Sequence, residues 1–263
     1  MRVRGAGFSL VGRDKVTPED RWALAELDGL VVGAVADGLT DPLGDGRGGA
    51  SGAVADEAVG AFVERASRLR EEGVADPVAL VQAGFEAAER AARALASTVG
   101  GRGAAAFVGA CLAGDGTLAV VKVGDCRAFD DGDSAGWRPL TPSDDADRRG
   151  ALTAFLGRPV EAEVIVHRGV RRAVLLSDGG WRAGLPLPAS LPRAPFPLAR
   201  DLVARARRAG ETDDLSALAL VREVEARGAG AAIERLTPAA FVVAGAFFFA
   251  AGLVAASLFG GAP

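Results

Sequence analysis

Four aspartates stand at the ends of apolar, strand-like runs that are far apart in the chain. Asp20 precedes Arg21–Leu27 and Asp37 follows Leu30–Ala36, while Asp178 comes after Ala173–Leu176 and Asp213 just before Leu215–Val221. Asp28-Gly29 is a strong two-residue hairpin signal. A turn centred there pairs residues whose numbers sum to 57, and Asp20 and Asp37 are such a pair. The hairpin therefore predicts two carboxylates side by side at its open end. Carboxylates packed together repel, and some must protonate unless a cation compensates them. A divalent-metal site on the rim of a β-sheet is the economical expectation, and it points to an enzyme.

Other chemistries find little material. The single histidine, His167, leaves nothing for a histidine-based metal site or a Ser-His-Asp triad. Cys111 and Cys126 sit in or beside apolar runs without metal-binding spacing, so they read as buried free thiols in a reducing compartment. A net charge of −4 with no sustained basic run argues against nucleic-acid binding. The glycine-rich Gly44–Gly49 lacks the Lys-Ser/Thr ending of a phosphate loop. Lysine occurs only at Lys15 and Lys122 and tyrosine not at all, a bias that suggests a GC-rich, bacterial coding sequence.

The elements that must position the aspartates can be sketched. The 263 residues, 49% apolar and 24% charged, describe a globular chain. The hairpin is followed by the flexible stretch Thr40–Gly49, then by helices over Ser51–Arg70 and from Asp76-Pro77, an N-cap and first-turn proline, to about Ser97. Strands are predicted at Ala104–Leu112, Leu118–Val123, Trp137–Thr141, Glu163–His167, Ala173–Leu176 and Leu215–Val221. A short helix is predicted within Asp144–Leu156 and a longer one at Leu198–Ala209. Gly179–Pro197 holds five prolines and is predicted as a loop. This order suits an α+β fold, an antiparallel β-sandwich flanked by helices.

The C-terminus differs. Ala239–Phe259 offers 21 mostly apolar residues without a charge, against roughly 20 needed to cross a bilayer core as a helix. A helix apolar on every face does not suit a soluble domain's surface. The expectation is a transmembrane tail anchor over 238–260, joined by a linker over 226–237. Met1–Lys15 holds no apolar stretch of signal-peptide length, and Arg227 and Arg235 lie on the domain side, so the domain is expected in the cytoplasm.

At five places in order, residues 15–221 resemble the metal-dependent serine/threonine phosphatases of the protein phosphatase 2C (PPM) type. Pro18-Glu19-Asp20-Arg21 is similar to that family's first acidic motif, and Val35-Ala36-Asp37-Gly38 with its glycine-rich loop and Ala50-Ser51 to the second. Val123-Gly124-Asp125-Cys126-Arg127 resembles the Gly-Asp-Ser-Arg element, and Leu176-Ser177-Asp178-Gly179 the Ser-Asp-Gly motif. Thr212-Asp213-Asp214-Leu215-Ser216 resembles the closing Asp-Asn-x-Thr motif.

The resemblance implies a phosphatase domain over 1–225 that holds two Mn²⁺ or Mg²⁺ ions. It implies that Asp37 bridges both ions, with the Gly38 carbonyl completing one shell. Asp20 would serve one ion, Asp178 and Asp213 the other, and Asp125 a weaker third. The implied reaction is hydrolysis of phosphate monoesters on phosphorylated protein, with a Ser/Thr kinase or its targets as partners. Departures qualify it. Lys15 stands where many members have a phosphate-gripping arginine, and lysine lacks the bidentate fork; Arg13 is a nearby substitute. The loop Leu39–Gly44 lacks the family's histidine, Asp214 replaces an asparagine, and the segment between Asp178 and Asp213 is short and proline-rich. The alternative is a catalytically impaired, phosphatase-like binding or regulatory module at the membrane; a third reading is a phosphatase of small metabolites.

Overall fold

Asp28-Gly29 forms the expected turn, Gly29 taking the left-handed φ of +71° that the tight reversal needs. The strands it joins pair in the predicted register, Arg21 opposite Ala36 and Leu27 opposite Leu30. The computed structural model describes residues 1–39, 50–132, 136–142, 152, 154–183, 185–188 and 190–223. Thr40–Gly49, with Asp41 and Asp45, most of the predicted helix Asp144–Leu156, and the predicted linker and anchor lie outside the described residues. Among the described residues no helix is long and apolar enough to cross a membrane.

In chain order the elements are β1 (Arg2–Leu10), β2 (Arg21–Leu27), β3 (Leu30–Gly38), α1 (Ser51–Glu71), α2 (Pro77–Thr98), β4 (Ala105–Ala113) and β5 (Leu118–Val123). They continue with β6 (Arg127–Asp130), β7 (Arg138–Pro139), β8 (Ile165–His167), β9 (Arg172–Leu176), α3 (Asp178–Arg182), α4 (Pro195–Arg208) and β10 (Leu215–Glu223). The strands make two five-stranded sheets, ordered β1-β10-β9-β6-β7 and β2-β3-β4-β5-β8, with every pair antiparallel. The α+β sandwich flanked by helices is the fold that the sequence predicted.

Strand alternation sorts the apolar residues into three layers. Val31 and Val35 of β3 face the other sheet, where they meet Leu175 of β9 and Leu218 and Leu220 of β10. Val32, Ala34 and Ala36 face α1 and α2 instead, in a core that contains Phe62, Phe85 and Phe107. Val174, Leu176, Ala217 and Ala219 turn outward onto α4 through Leu198, Leu202 and Val203. By this parity Asp37 continues the inward row of Val31 and Val35, at the end of the strand where the apolar filling stops.

Three expectations are corrected. β1 went unpredicted because its alternation is weak; it forms because it pairs with β10 along its whole length, from Arg2–Glu223 to Leu10–Leu215. Gly179–Pro197 is not all loop. It opens with α3, one turn with no apolar period of its own, and ends inside α4, whose first turn accommodates Pro195 and Pro197 because N–H groups there need no helical acceptor. β6 continues directly from the Gly-Asp-Cys-Arg turn and pairs with β9. Asp76 caps α2 as expected, accepting from the Val78 and Ala79 amides at 3.2 and 3.3 Å.

Phe62 joins the helices to the sheet. It meets Phe107 edge-on at 5.5 Å between ring centroids. It also fills the space above Gly84 and Gly109, where a Cβ would come within 2.8 and 2.7 Å of its ring. Phe62→Ala should therefore cost about 3–5 kcal/mol, the range for deleting a buried aromatic, read as a lowered midpoint in urea unfolding.

Candidate metal centre

Five motif segments converge at one end of the sandwich. Asp37 lies near the end of β3, opposite Ala106 of β4. Asp20 directly precedes β2 and is buried, 4% exposed. Asp178 is the first residue of α3, after an extended Ser177 ends the β9 run. Asp125 sits in the turn between β5 and β6, behind Gly124 at φ +81°, where a Cβ would be 2.6 Å from that of Ala106. Asp213 occupies the loop before β10. Lys15, Asp37, Gly38, Asp125, Asp178 and Asp213 line one cavity of about 140 Å³, together with Leu39, Ala106 and Leu152.

The carboxylates of Asp37, Asp125 and Asp178 each bring an oxygen within 4.8 Å of the others. Asp20 lies behind them, both of its carboxylate oxygens buried and without a hydrogen-bond partner. Orphaned buried acceptors are rare and call for a compensating partner. Burial, opposed by the neighbouring Ser177 and Asp37 side chains and aided by the Asp214 and Asp178 charges, pushes the Asp20 carboxyl up to about 7. Burial and then the Asp20 and Asp178 carboxylates raise Asp37 well above the ordinary range. An all-oxygen cluster of this kind fits a hard divalent cation such as Mn²⁺ or Mg²⁺.

Two basic side chains reach the cluster. Lys15 Nζ lies 2.7 Å from Asp213, 3.1 Å from Glu19 and 3.4 Å from Asp214. Although partial burial acts in the opposite direction, these acidic partners raise the Lys15 pKa. Burial likewise acts against the lowering of the Asp213 pKa, which the Lys15 bond produces. Arg182, at the last position of α3, contacts Asp125 at 3.0 Å and Asp178 at 2.5 Å. Arg13 is exposed and outside the cavity lining; its backbone amide donates to the Thr212 carbonyl at 2.8 Å.

Three residues hold the site together in ways that the sequence reading did not assign. Asp214, buried at 2%, accepts from the Gly12 and Glu19 amides at 2.6 Å each and so binds the Lys15 segment to the Asp213 loop. Arg207 of α4 fastens the same junction from behind, donating to the carbonyls of Val11, Glu211 and Asp213. Arg182 was hidden in the segment read as loop. The Asp-Asp pair was a visible signal for the first; the others had none, since Arg207 reaches Val11 across 196 residues and Arg182 reaches Asp125 across 57. His167, on β8, has Nε2 3.1 Å from the Leu140 carbonyl and takes no part. Cys111 and Cys126 are buried free thiols, as expected.

No protein-family model matches the sequence, and no curated protein matches it in sequence. Solved structures do match in fold. The Mycobacterium tuberculosis serine/threonine phosphatase PstP/Ppp is 20% identical with a TM-score of 0.64, over 85% of this chain and 100% of that one. PppA, described as a key regulatory component of T6SS in Pseudomonas aeruginosa, is 19% identical with a TM-score of 0.65, over 85% and 99%. The PstP catalytic domain in complex with two manganese ions is 20% identical with a TM-score of 0.63, over 83% and 97%. The chain thus has the fold of these phosphatases.

The buried Asp20 carboxyl has a consequence for stability. Its folded pKa, about 7, exceeds the ordinary 3.8, so the group favours folding fully below about pH 4 and loses that contribution as pH rises through about 7. Metal-free protein should therefore melt at falling temperature from pH 4 to 8, and millimolar Mn²⁺ should restore the loss at pH 8. Asp20→Asn should flatten the metal-free profile and weaken the Mn²⁺ rescue; a profile unchanged by the substitution would place the strain elsewhere.

Proposed function

We propose that this chain is a metal-dependent phosphoprotein phosphatase that hydrolyses phosphate monoesters of serine or threonine. The observation that carries the proposal is the convergence of Asp37, Asp125 and Asp178 oxygens within 4.8 Å, backed by the unpartnered carboxylate of Asp20. A storage or scaffold role gives no reason to bury so much like charge. The shared fold with PstP, whose catalytic domain is described with two manganese ions, supports the same assignment.

In this proposal Asp37 would serve both ions, Asp20 would help to hold one and Asp178 and Asp213 the other, with the Gly38 carbonyl as a further oxygen donor. Asp125 serves a third. The ions, when bound, supply Lewis acidity that makes a water more acidic and offsets charge on the phosphoryl oxygens. The chain's own residues orient and exclude. β3 and the Ser177–Asp178 junction hold their carboxylates on rigid strand ends, while Ala106, Leu39 and Leu152 line the cavity with apolar surface. Lys15 balances Asp213 and Asp214.

The substrate proposed is phosphorylated protein, including Ser/Thr kinases or their targets. The apolar run Ala239–Phe259 would tether the domain to a membrane, with the domain on the cytoplasmic side. Deleting 238–260 should move the protein from the membrane to the soluble fraction of lysed cells; equal membrane retention of both forms would count against a tether.

One observation favours a second reading. Lys15, at the position expected to grip phosphate, is enclosed by three carboxylates, as in an impaired, phosphatase-like binding module. Hydrolysis of p-nitrophenyl phosphate with Mn²⁺ separates the two. The wild type should turn over, and Asp37→Asn should lower kcat by about a hundredfold or more, the scale of losing a main electrostatic contributor. Equal rates in both proteins would overturn the mechanism, and no turnover in the wild type would favour the binding module. Relative rates on phosphopeptides and on phosphorylated metabolites then identify the substrate class.

A further inference from the structure

A cavity lined by Asp37, Asp125, Asp178 and Asp213 needs a cation that a phosphate can use, and the obvious one is committed. An ammonium has three N–H donors, and Lys15 Nζ faces carboxylate oxygens of Asp213, Glu19 and Asp214 at 2.7–3.4 Å. These partners sit in the loops that build the site, and Asp214 is held in turn by the Gly12 and Glu19 amides. Lys15 thus works as a structural counter-charge.

Arg182 is placed differently. Its guanidinium spends one terminal nitrogen on Asp178 and the other on Asp125, and the side chain remains 54% exposed. A guanidinium carries five donors in a planar fork, so donors remain beyond these two contacts, on a side chain that reaches two of the cavity's carboxylates without itself lining it. Its charge also reaches Asp213. The arginine rides on a fixed element: the neighbouring Trp181 donates from Nε1 to the Asp125 carbonyl at 2.9 Å, and the Arg127 guanidinium lies 3.8 Å from the centre of that ring. α3 therefore holds the fork beside the carboxylates rather than leaving it to a loose loop.

From this geometry we infer that Arg182 binds the phosphate of the substrate, in preference to the less exposed and more fully bonded Lys15. Its two carboxylate partners are among those that would hold the metal ions. Once cations neutralise those partners, the fork has less to hold it and can turn its paired donors to an anion arriving at the mouth. Bidentate pairing suits a phosphate's oxygens in a way that an ammonium does not match. The inference rests on the proposed phosphatase reading for the identity of the anion.

The test uses the full chain with Mn²⁺, measuring inorganic phosphate binding by calorimetry beside kcat and KM for p-nitrophenyl phosphate. Arg182→Gln should weaken phosphate binding by about tenfold or more and raise KM in step, as expected for losing a charge-assisted pair, with a smaller effect on kcat. Arg182→Lys should fall between the two, and the loss in Arg182→Gln should exceed that in Lys15→Gln. Mn²⁺ affinity should stay the same or tighten in Arg182→Gln, because a competing cation is gone. Unaltered phosphate affinity in either Arg182 variant, parallel loss of Mn²⁺ affinity, or a wild type that does not bind phosphate would each overturn the assignment. A wild type that binds phosphate through Arg182 yet hydrolyses nothing would sink the phosphatase reading and leave this one standing. Turnover that is indifferent to Arg182→Gln would do the reverse.

Discussion

Like charge forced together under burial is the constraint around which this molecule is built. Asp20 is buried and Asp37 half-buried beside Asp178, and both oxygens of Asp20 lack a well-formed hydrogen bond. Separating such groups would be favourable, and water would gladly solvate them. They stay together because each is attached to the end of a strand or the first turn of a helix whose other residues are anchored in the core. The apolar burial of the sandwich holds the acidic cluster in place at a cost in like-charge repulsion.

The sandwich achieves this by parity. Alternate residues of β3 fill the space between the sheets, and the next position in that row, past the last apolar side chain, is Asp37. The chain then departs through Gly38, where a Cβ would meet the Ser51 backbone at 2.8 Å. Close backbone approach at this exit brings the start of α1 against the site wall. On the other sheet, β9 ends at Leu176 and α3 begins with Asp178. Two hydrogen-bonded sheets thereby present carboxylates at one common end, from segments separated by more than a hundred residues.

Counter-charge is divided between two cations with different attachments. Lys15 lies in a segment bound to the Asp213 loop by Asp214 and, from the outer side, by Arg207. Its ammonium is enclosed, and its charge stabilises a junction. Arg182 stands on α3. Both balance the same acidic cluster, but the second is the more exposed, 54% against 24%. Lys15 stands where the resemblance led to the expectation of an arginine, and an arginine reaches the same acidic cluster from another part of the chain.

Local patterns determined much of this in advance. Asp28-Gly29 fixed the hairpin and its register, because a two-residue turn leaves one pairing; that pairing put Asp20 beside Asp37. The order of strands and helices fixed the sandwich, and Asp76-Pro77 fixed the start of α2. β1, α3 and the role of Arg182 were not legible. β1 owes its conformation to its pairing with β10, more than two hundred residues on, and α3 is a single turn with no apolar period, tied to Asp125 by Trp181. Periodicity records what a segment buries, so it reveals elements that carry their own apolar face. Which charges finally meet is decided by contacts between distant segments, and only the folded chain sets those distances.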